Sequence, residues 1–156
     1  MIVAEIDEEL QAKAGRRLNV GAGDFPLLYW TNLDANPDLP ADLHAEVPPL
    51  PYGDESLDEI WACHFLEHLE PQRAQEFLKE CYRCLIPSGR LGIVVPDMRE
   101  VLTRYINRTI DAVEWPQGTW WSVADMDALC AVFLYSTIQP SPHRWSYDAE
   151  TLTRAL

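Results

Sequence analysis

The chain is poor in positive charge. Its 156 residues include 12 Lys and Arg against 25 Asp and Glu, which gives a formal net charge of −13. No basic stripe is present to release counterions from a phosphate backbone, so nucleic acid is excluded as the main partner. The acidity itself indicates solubility.

Long apolar runs are also missing. No stretch approaches the ~20 apolar residues of a membrane-spanning helix. Residues 1–5 have no basic region ahead of their apolar side chains, which argues against a secretory signal. With 47% hydrophobic residues, the chain can bury one core and is most simply a single domain over residues 1–156. We therefore expect a cytoplasmic protein that does not bind a membrane.

Cysteine is scarce, and its spacing does not indicate a metal. Cys81 and Cys84 form a C-x-x-C, but they lie inside a predicted amphipathic helix, and no second cysteine pair completes a zinc site. Cys81 falls on the apolar stripe of that helix and is expected to be a small buried side chain. We predict no metal site, and we expect four reduced thiols, including those of Cys63 and Cys130.

A glycine-rich turn between two short strands carries the strongest functional signal. Leu-Asn-Val-Gly-Ala-Gly (18–23) is an apolar strand that enters the turn, and Asn-Leu-Asp (32–34) is a second strand that ends on a carboxylate. In a doubly wound sheet such a carboxylate binds ribose hydroxyls, and the glycines let a ligand lie against backbone. The pattern therefore predicts an adenosine-containing cofactor.

The same turn lacks the third glycine of a dinucleotide fingerprint. Pro26 stands at that position, and Asp24 places a negative charge where a phosphate would lie. A nicotinamide-dependent oxidoreductase fits this turn poorly. A cationic, phosphate-free adenosine ligand fits it better, and S-adenosylmethionine is the candidate.

Apolar periodicity predicts alternating strands and helices. The predicted strands are 17–20, 29–33, 42–43, 57–62 and 91–95. The predicted helices are 1–16, 71–85, 101–108, 124–138 and a last one that Asp148 caps, with a loop at 115–118. The links between the early strands are short and rich in proline, so we expect loops there in place of crossover helices. This organisation assigns 17–97 to a cofactor-binding core and 98–156 to a helical segment on the substrate side.

Six motifs occur in a recognisable order. They are Leu-Asn-Val-Gly-Ala-Gly-Asp (18–24), Trp-Thr-Asn-Leu-Asp (30–34), Asp-Leu (42–43), Leu-Pro-Tyr-Gly-Asp-Glu-Ser-Leu-Asp-Glu-Ile-Trp (50–61), Cys-His-Phe-Leu-Glu-His-Leu (63–69) and Cys-Leu-Ile-Pro-Ser-Gly-Arg-Leu (84–91). With this order and spacing the sequence resembles class I S-adenosylmethionine-dependent methyltransferases, particularly a small bacterial group with a shortened first crossover. The resemblance covers 17 to about 104 and resumes at 143–156. It implies an α/β, Rossmann-like parallel sheet of about five strands. Tyr29 and Ser88 depart from it, because each replaces a glycine common in the group.

The resemblance also implies which residues contact S-adenosylmethionine. The glycine turn would pass beneath the methionine and ribose, Asp34 would accept both ribose hydroxyls, and Asp42 with the backbone of Leu43 would face the adenine. The end of the fourth strand would border the sulfonium and its methyl group. The implied cofactor-binding residues are Gly21, Ala22, Gly23, Asp34, Asp42, Leu43, Ala62, Cys63 and His64.

The catalytic residues are less clearly marked. His64 is the candidate general base for the methyl acceptor, although a contact to backbone at a helix entry explains it equally well. Glu67 and His68 are interpreted as capping or orienting the adjoining helix. Methyl transfer from a sulfonium mainly needs alignment, so the absence of an obvious dyad is no objection to an enzyme. We predict methyl transfer to a small-molecule acceptor, with a methyltransferase fold that binds without turnover as the alternative.

The fifth predicted strand raises a question of edge protection. In the related fold a C-terminal strand hairpin covers this strand, and the sequence ends at Leu156 without it. A bare apolar edge is rare in proteins. We therefore expect either a truncated form of the fold or an edge that a second copy of the chain, or residues 115–138, covers, with a homodimer as one outcome.

Overall fold

The computed structural model describes residues 16–107, 112–115, 118–122 and 143–156. It divides into two compact units, 1–95 and 96–156, and each is described by itself. All but the last residue of the helix predicted over 1–16, and the whole of the helix predicted over 124–138, lie outside the described residues. Among the described residues, no helix has the length and apolar character needed to cross a membrane.

The first unit is built on a five-stranded sheet in which every pairing is parallel. Its strands are β1 (Arg17–Val20), β2 (Thr31–Asp34), β3 (Leu43–His44), β4 (Leu57–Cys63) and β5 (Leu85–Val94). Their order is β3-β2-β1-β4-β5. Strands β2 and β3 therefore lie on one side of β1, and β4 and β5 lie on the other. The predicted Rossmann-like parallel sheet is confirmed. The reversal between β1 and β4 is the switch point where such sheets bind ligands.

The centre of this sheet is buried, as the apolar runs in the sequence indicate. Leu18, Val20, Ile60 and Ala62 on β1 and β4 have no exposed surface. Helix α1 (Pro71–Cys84) has proline in its first turn and buries one stripe of apolar side chains, with Phe77 fully enclosed. The helix predicted over 71–85 is therefore confirmed to within one residue.

Strand β5 differs most from the sequence-based prediction. It begins at Leu85, directly after α1, and not at Leu91. Leu57 pairs with Leu85 and Glu59 pairs with Arg90, so β5 holds three more residues than β4 over this interval. The Pro-Ser-Gly segment (87–89) lies between the predicted helix 71–85 and the predicted strand 91–95, and in the structure it forms a bulge within β5.

The described residues of the second unit form two helices and a two-stranded sheet. Helix α2 (Met98–Ile106) begins three residues before the predicted start at 101. Strands β6 (Ala112–Trp115) and β7 (Gly118–Ser122) pair antiparallel where the sequence predicted only a loop at 115–118. Helix α3 (Ala149–Ala155) has the predicted cap, because the Asp148 side chain accepts a hydrogen bond from the Thr151 amide at 2.8 Å.

Candidate functional site

The carboxyl ends of β1, β2 and β4 meet at one edge of the sheet. Val20, the last residue of β1, is paired with Leu33 on one side and with Ala62 on the other. The structure therefore brings together the turn 21–23, Asp34 and the segment 62–64, as the sequence predicts. This edge lies at the switch point of the strand order, where ligands of such sheets bind.

The Asp34 carboxylate lies at this edge and is held by two backbone amides. Its Oδ2 accepts a hydrogen bond from the Gly23 amide at 3.0 Å, and its Oδ1 accepts one from the Asn36 amide, also at 3.0 Å. The side chain is only partly buried. Each carboxylate oxygen can accept more than one hydrogen bond, so both retain capacity for a ligand donor. The carboxylate is thus fixed in direction before any ligand binds.

The two glycines of the turn serve different purposes. Gly21 (φ 67°) and Gly23 (φ 56°) both have left-handed backbone conformations that favour glycine. A Cβ at Gly21 would lie 2.6 Å from Cδ2 of Phe65, whereas a Cβ at Gly23 would meet nothing within 4 Å. The missing side chain at Gly21 makes room for Phe65. Only Gly23 leaves open space beside Asp34 for a ligand.

Asn32 holds the loop that replaces the first crossover helix. Its Oδ1 accepts hydrogen bonds from the Leu27 amide at 2.7 Å and from Asn19 Nδ2 at 3.0 Å. Its Nδ2 donates to the carbonyls of Leu27 and Trp30 at 3.1 Å each and to Asp42 Oδ2 at 3.0 Å. The residue is 5% exposed. This role was not predicted from the sequence, where its signal was an asparagine beside Leu33 within a predicted strand.

Asp42 belongs to the same hydrogen-bond network, which engages one of its carboxylate oxygens. Its Oδ2 accepts the Asn32 amide at 2.7 Å as well as the Asn32 side chain. Its own amide donates to the Asn32 carbonyl at 2.8 Å, and Leu43 pairs with Leu33 on β2. One oxygen of Asp42 therefore secures the start of β2. The contact of Asp42 and Leu43 with an adenine stays a prediction.

His64 and Glu67 form a pair at the end of β4. Nδ1 of His64 lies 3.1 Å from Oε1 of Glu67, and the side chains are 34% and 1% exposed. The predicted capping role of Glu67 is wrong, since no side chain caps either the 3₁₀ turn Leu66–His68 or α1. Cys63 lies beside this pair. Burial raises the pKa of its thiol, and the charge of Glu67 raises it further.

The other described cysteines are structural. Cys81 and Cys84 are fully buried on α1, and the described cysteines form no disulfide. Burial raises the pKa of Cys81 well above its usual range and that of Cys84 to about 11. Both are therefore protonated, unreactive thiols at neutral pH, in agreement with the sequence analysis.

A cavity of about 310 Å³ lies at the other end of the strands. It is lined by Arg16, Thr31, Tyr52, Asp54, Glu55, Ser56 and Leu57. Thr31 and Leu57 are the first residues of β2 and β4, so this cavity opens at the amino ends of the strands. None of the predicted cofactor residues lines it, and it is distinct from the candidate site.

Comparison with known proteins agrees with this arrangement. A family model described as a methyltransferase domain matches residues 26–93. The crystal structure of a SAM-dependent methyltransferase from Archaeoglobus fulgidus superimposes with a TM-score of 0.58 over 98% of this chain, at 19% sequence identity. The chain has the class I methyltransferase fold. It spans 64% of the length of the Archaeoglobus methyltransferase. The fold that the resemblance implies is confirmed. No curated protein sequence matches the chain.

Proposed function

We propose that this methyltransferase-fold chain binds S-adenosylmethionine and transfers its methyl group to a small-molecule acceptor. The observation that carries the proposal is the Asp34 carboxylate, which two backbone amides hold in place beside the open space at Gly23. A carboxylate fixed at the end of β2 is suited to accept both hydroxyls of a ribose. The family model and the Archaeoglobus fold support the same cofactor.

The residues around the turn suit a cation without phosphates. Asp24 is exposed within the turn, and Asp34 adds a second negative charge. When bound, the cofactor supplies a methyl group on a sulfonium, which is a good leaving group. The chain then has to align the acceptor with that methyl group and exclude water. As the resemblance implies, Ala62 and Cys63 at the end of β4, together with His64 directly after it, would border the methyl group.

Calorimetry with S-adenosylhomocysteine tests the cofactor assignment. Asp34→Ala should weaken binding on the order of 10²-fold or more, because hydrogen bonds to a charged group contribute about 1.5–3 kcal/mol each. Asp38→Ala removes the same charge from an exposed position four residues away and serves as the control. The native chain should bind the 2′-deoxy analogue more weakly than S-adenosylhomocysteine itself. Asp34→Ala should bind these two ligands with equal affinity. Equal affinities of the native chain and Asp34→Ala would refute the proposal.

Turnover separates the enzyme from its alternatives. Binding of S-adenosylhomocysteine without methylation of any acceptor would favour a methyltransferase fold that only binds. Binding of NAD in its place would favour an oxidoreductase. The cytoplasmic location, the small-molecule acceptor and self-association stay predictions, and light scattering that shows a clean monomer at high micromolar concentration would count against the last.

A further inference from the structure

The backbone turns sharply at His64, which directly follows β4 at the candidate site. The His64 amide donates to the Val94 carbonyl of β5 at 2.8 Å, which extends the strand pairing by one residue. Its φ is 53°, a left-handed conformation that costs a residue with a side chain about 1–2 kcal/mol. Strain of this kind persists where the surrounding structure imposes it, and it is concentrated at functional sites.

Glu67 is buried in a way that stability alone does not explain. Its side chain is 1% exposed, and its hydrogen-bonding partner is His64. Its second oxygen, Oε2, is buried and accepts no hydrogen bond from the part of the chain that the structure describes. Burying a carboxylate with one hydrogen bond costs several kcal/mol, of the order of a lost ion pair. Among the described residues, the hydrogen bond of this carboxylate goes to the ring of His64, while a ring nitrogen of His68 lies within 4.8 Å of one of its oxygens.

We propose that Glu67 is a positioning residue that keeps a proton on Nδ1 of His64, so that Nε2 of His64 takes the proton of a hydroxyl acceptor during methyl transfer. This inference rests on the proposed function and adds the class of acceptor. A neutral imidazole carries one N–H, and the partner of one nitrogen decides which nitrogen keeps the lone pair. With Nδ1–H donating to Oε1 of Glu67, the lone pair is on Nε2.

The step balances in atoms and charge. The acceptor O–H bond breaks and its proton moves to Nε2 of His64, while the acceptor oxygen bonds to the methyl carbon. The carbon–sulfur bond breaks, and its electron pair stays on sulfur, which gives neutral S-adenosylhomocysteine. The imidazolium that forms is stabilised by the Glu67 carboxylate 3.1 Å away and later releases its proton to water.

The need for a base selects the acceptor class. Carboxylic acids are ionised at neutral pH and thiols are partly so, whereas a phenolic hydroxyl has a pKa of about 10 and stays protonated. A base in the transition state typically contributes about 10²–10⁴-fold when the nucleophile carries a proton. An alkylammonium, with a pKa of about 10.4, has no lone pair until it has already lost its proton, whereas a hydroxyl can attack as its proton leaves. A His–Glu pair is therefore suited to a hydroxyl acceptor and superfluous for an ionised one.

The tautomer of His64 can be measured without any acceptor. Long-range ¹H–¹⁵N spectra of the full chain, labelled with ¹⁵N-histidine and saturated with S-adenosylhomocysteine, report which ring nitrogen carries the proton. A His64→Gln variant assigns the signals. We expect the Nδ1–H form for the native chain and a shift toward the other tautomer in Glu67→Gln. An Nε2–H form in the native chain would overturn the inference.

Turnover with four small probes tests the acceptor class. Methyl-labelled S-adenosylmethionine is offered with 4-methylphenol, benzoate, benzylamine or benzyl mercaptan. We expect methylation of the phenol, and Glu67→Gln should lower kcat about tenfold or more while KM and the affinity for S-adenosylhomocysteine are unchanged and the melting temperature does not fall. Glu76→Gln, which alters an exposed carboxylate on α1, is the matched control and should leave kcat as it is.

The failures are distinguishable. Methylation of the carboxylate, the thiol or the amine without the phenol, an unchanged kcat in Glu67→Gln, or no methylation of any probe would overturn this inference, while binding of S-adenosylhomocysteine would still support the cofactor assignment. Loss of that binding in the native chain would instead overturn the proposed function.

Discussion

The two glycines of the β1–β2 turn should respond differently to the same substitution. Alanine at Gly21 or at Gly23 must adopt a left-handed backbone, which costs about 1–2 kcal/mol at either position. At Gly21 the new methyl group would also overlap the Phe65 ring, with 2.6 Å between carbon atoms. The ring cannot withdraw freely, because it packs edge-on against the buried ring of Phe77 with centroids 5.1 Å apart.

These contacts set the expected magnitudes. Overpacking a well-packed site costs about 1–3 kcal/mol, so Gly21→Ala should lose about 2–5 kcal/mol of unfolding free energy. Gly23→Ala meets open space and should lose only about 1–2 kcal/mol. Gly23→Ala should impair ligand binding more than Gly21→Ala does, since the methyl group at Gly23 projects into the space assigned to the cofactor. We expect Gly23→Ala to weaken S-adenosylhomocysteine binding about tenfold, which corresponds to ~1.4 kcal/mol.

Urea unfolding followed by circular dichroism measures the first quantity, and calorimetry measures the second. The double variant Gly21→Ala/Phe65→Leu isolates the contact, because trimming the ring should recover part of the loss at Gly21. Equal destabilisation by Gly21→Ala and Gly23→Ala, or no recovery in the double variant, would refute the reasoning.

Three further variants test other parts of the structure. Asn32→Ala should lower the free energy of unfolding by about 3 kcal/mol, as measured by urea unfolding. The substitution removes five side-chain hydrogen bonds worth about 0.5–1.5 kcal/mol each, and water compensates for part of that loss. Ser88→Gly should raise the free energy of unfolding by about 0.5–1 kcal/mol in the same assay. Ser88 has a left-handed backbone (φ 71°), which costs about 1–2 kcal/mol, and glycine removes that cost while losing more chain entropy on folding. Hydrogen bonds from Arg83 lower the pKa of Glu80, so Glu80 adds stability above its unfolded pKa of about 4.3 that disappears as pH falls through the lower folded value. The unfolding free energies of the native chain and Glu80→Gln should therefore differ at pH ~7 and converge in acid, and a gap that persists in acid would exclude this cause.

Local patterns predicted the elements whose boundaries depend on local chemistry. Strand β1 matches residue for residue, and the α3 cap follows from Asp148 at the right position. The start of α2 had such a signal that was overlooked. The Asp97 side chain accepts hydrogen bonds from the amides of Arg99 and Glu100 at 3.0 and 3.3 Å, which places the start of the helix at Met98.

Features that depend on distant pairing could not be predicted in this way. Proline, serine and glycine at 87–89 have the composition of a turn, and only the pairing of β5 with β4 makes them part of a strand. Tyr29 and Ser88 depart from glycine in sequence, yet both keep left-handed backbones, with φ of 65° and 71°. The resemblance indicated the conformation there, while the residue type alone would have argued against it.

The sequence predicted the main residues of the site but not the side chains that pack against them. The sequence singled out Asp34 and His64 because their motifs lie at strand ends. It did not reveal that Phe65 fills the space at Gly21 or that Glu67 faces His64, since both contacts depend on the turn that follows β4. A short 3₁₀ segment leaves no periodic pattern from which facing side chains can be inferred.

The bulge in β5 limits what can join the sheet. Within the described residues no strand pairs with the outer side of β5. Regular pairing with β4 runs only from Arg90 to Val94, because the bulge interrupts the ladder before it. Five residues at about 3.3 Å each offer roughly 16 Å of docking length. Intermolecular sheet growth would therefore be brief and self-limiting, which favours a closed pair of chains over an open-ended fibre.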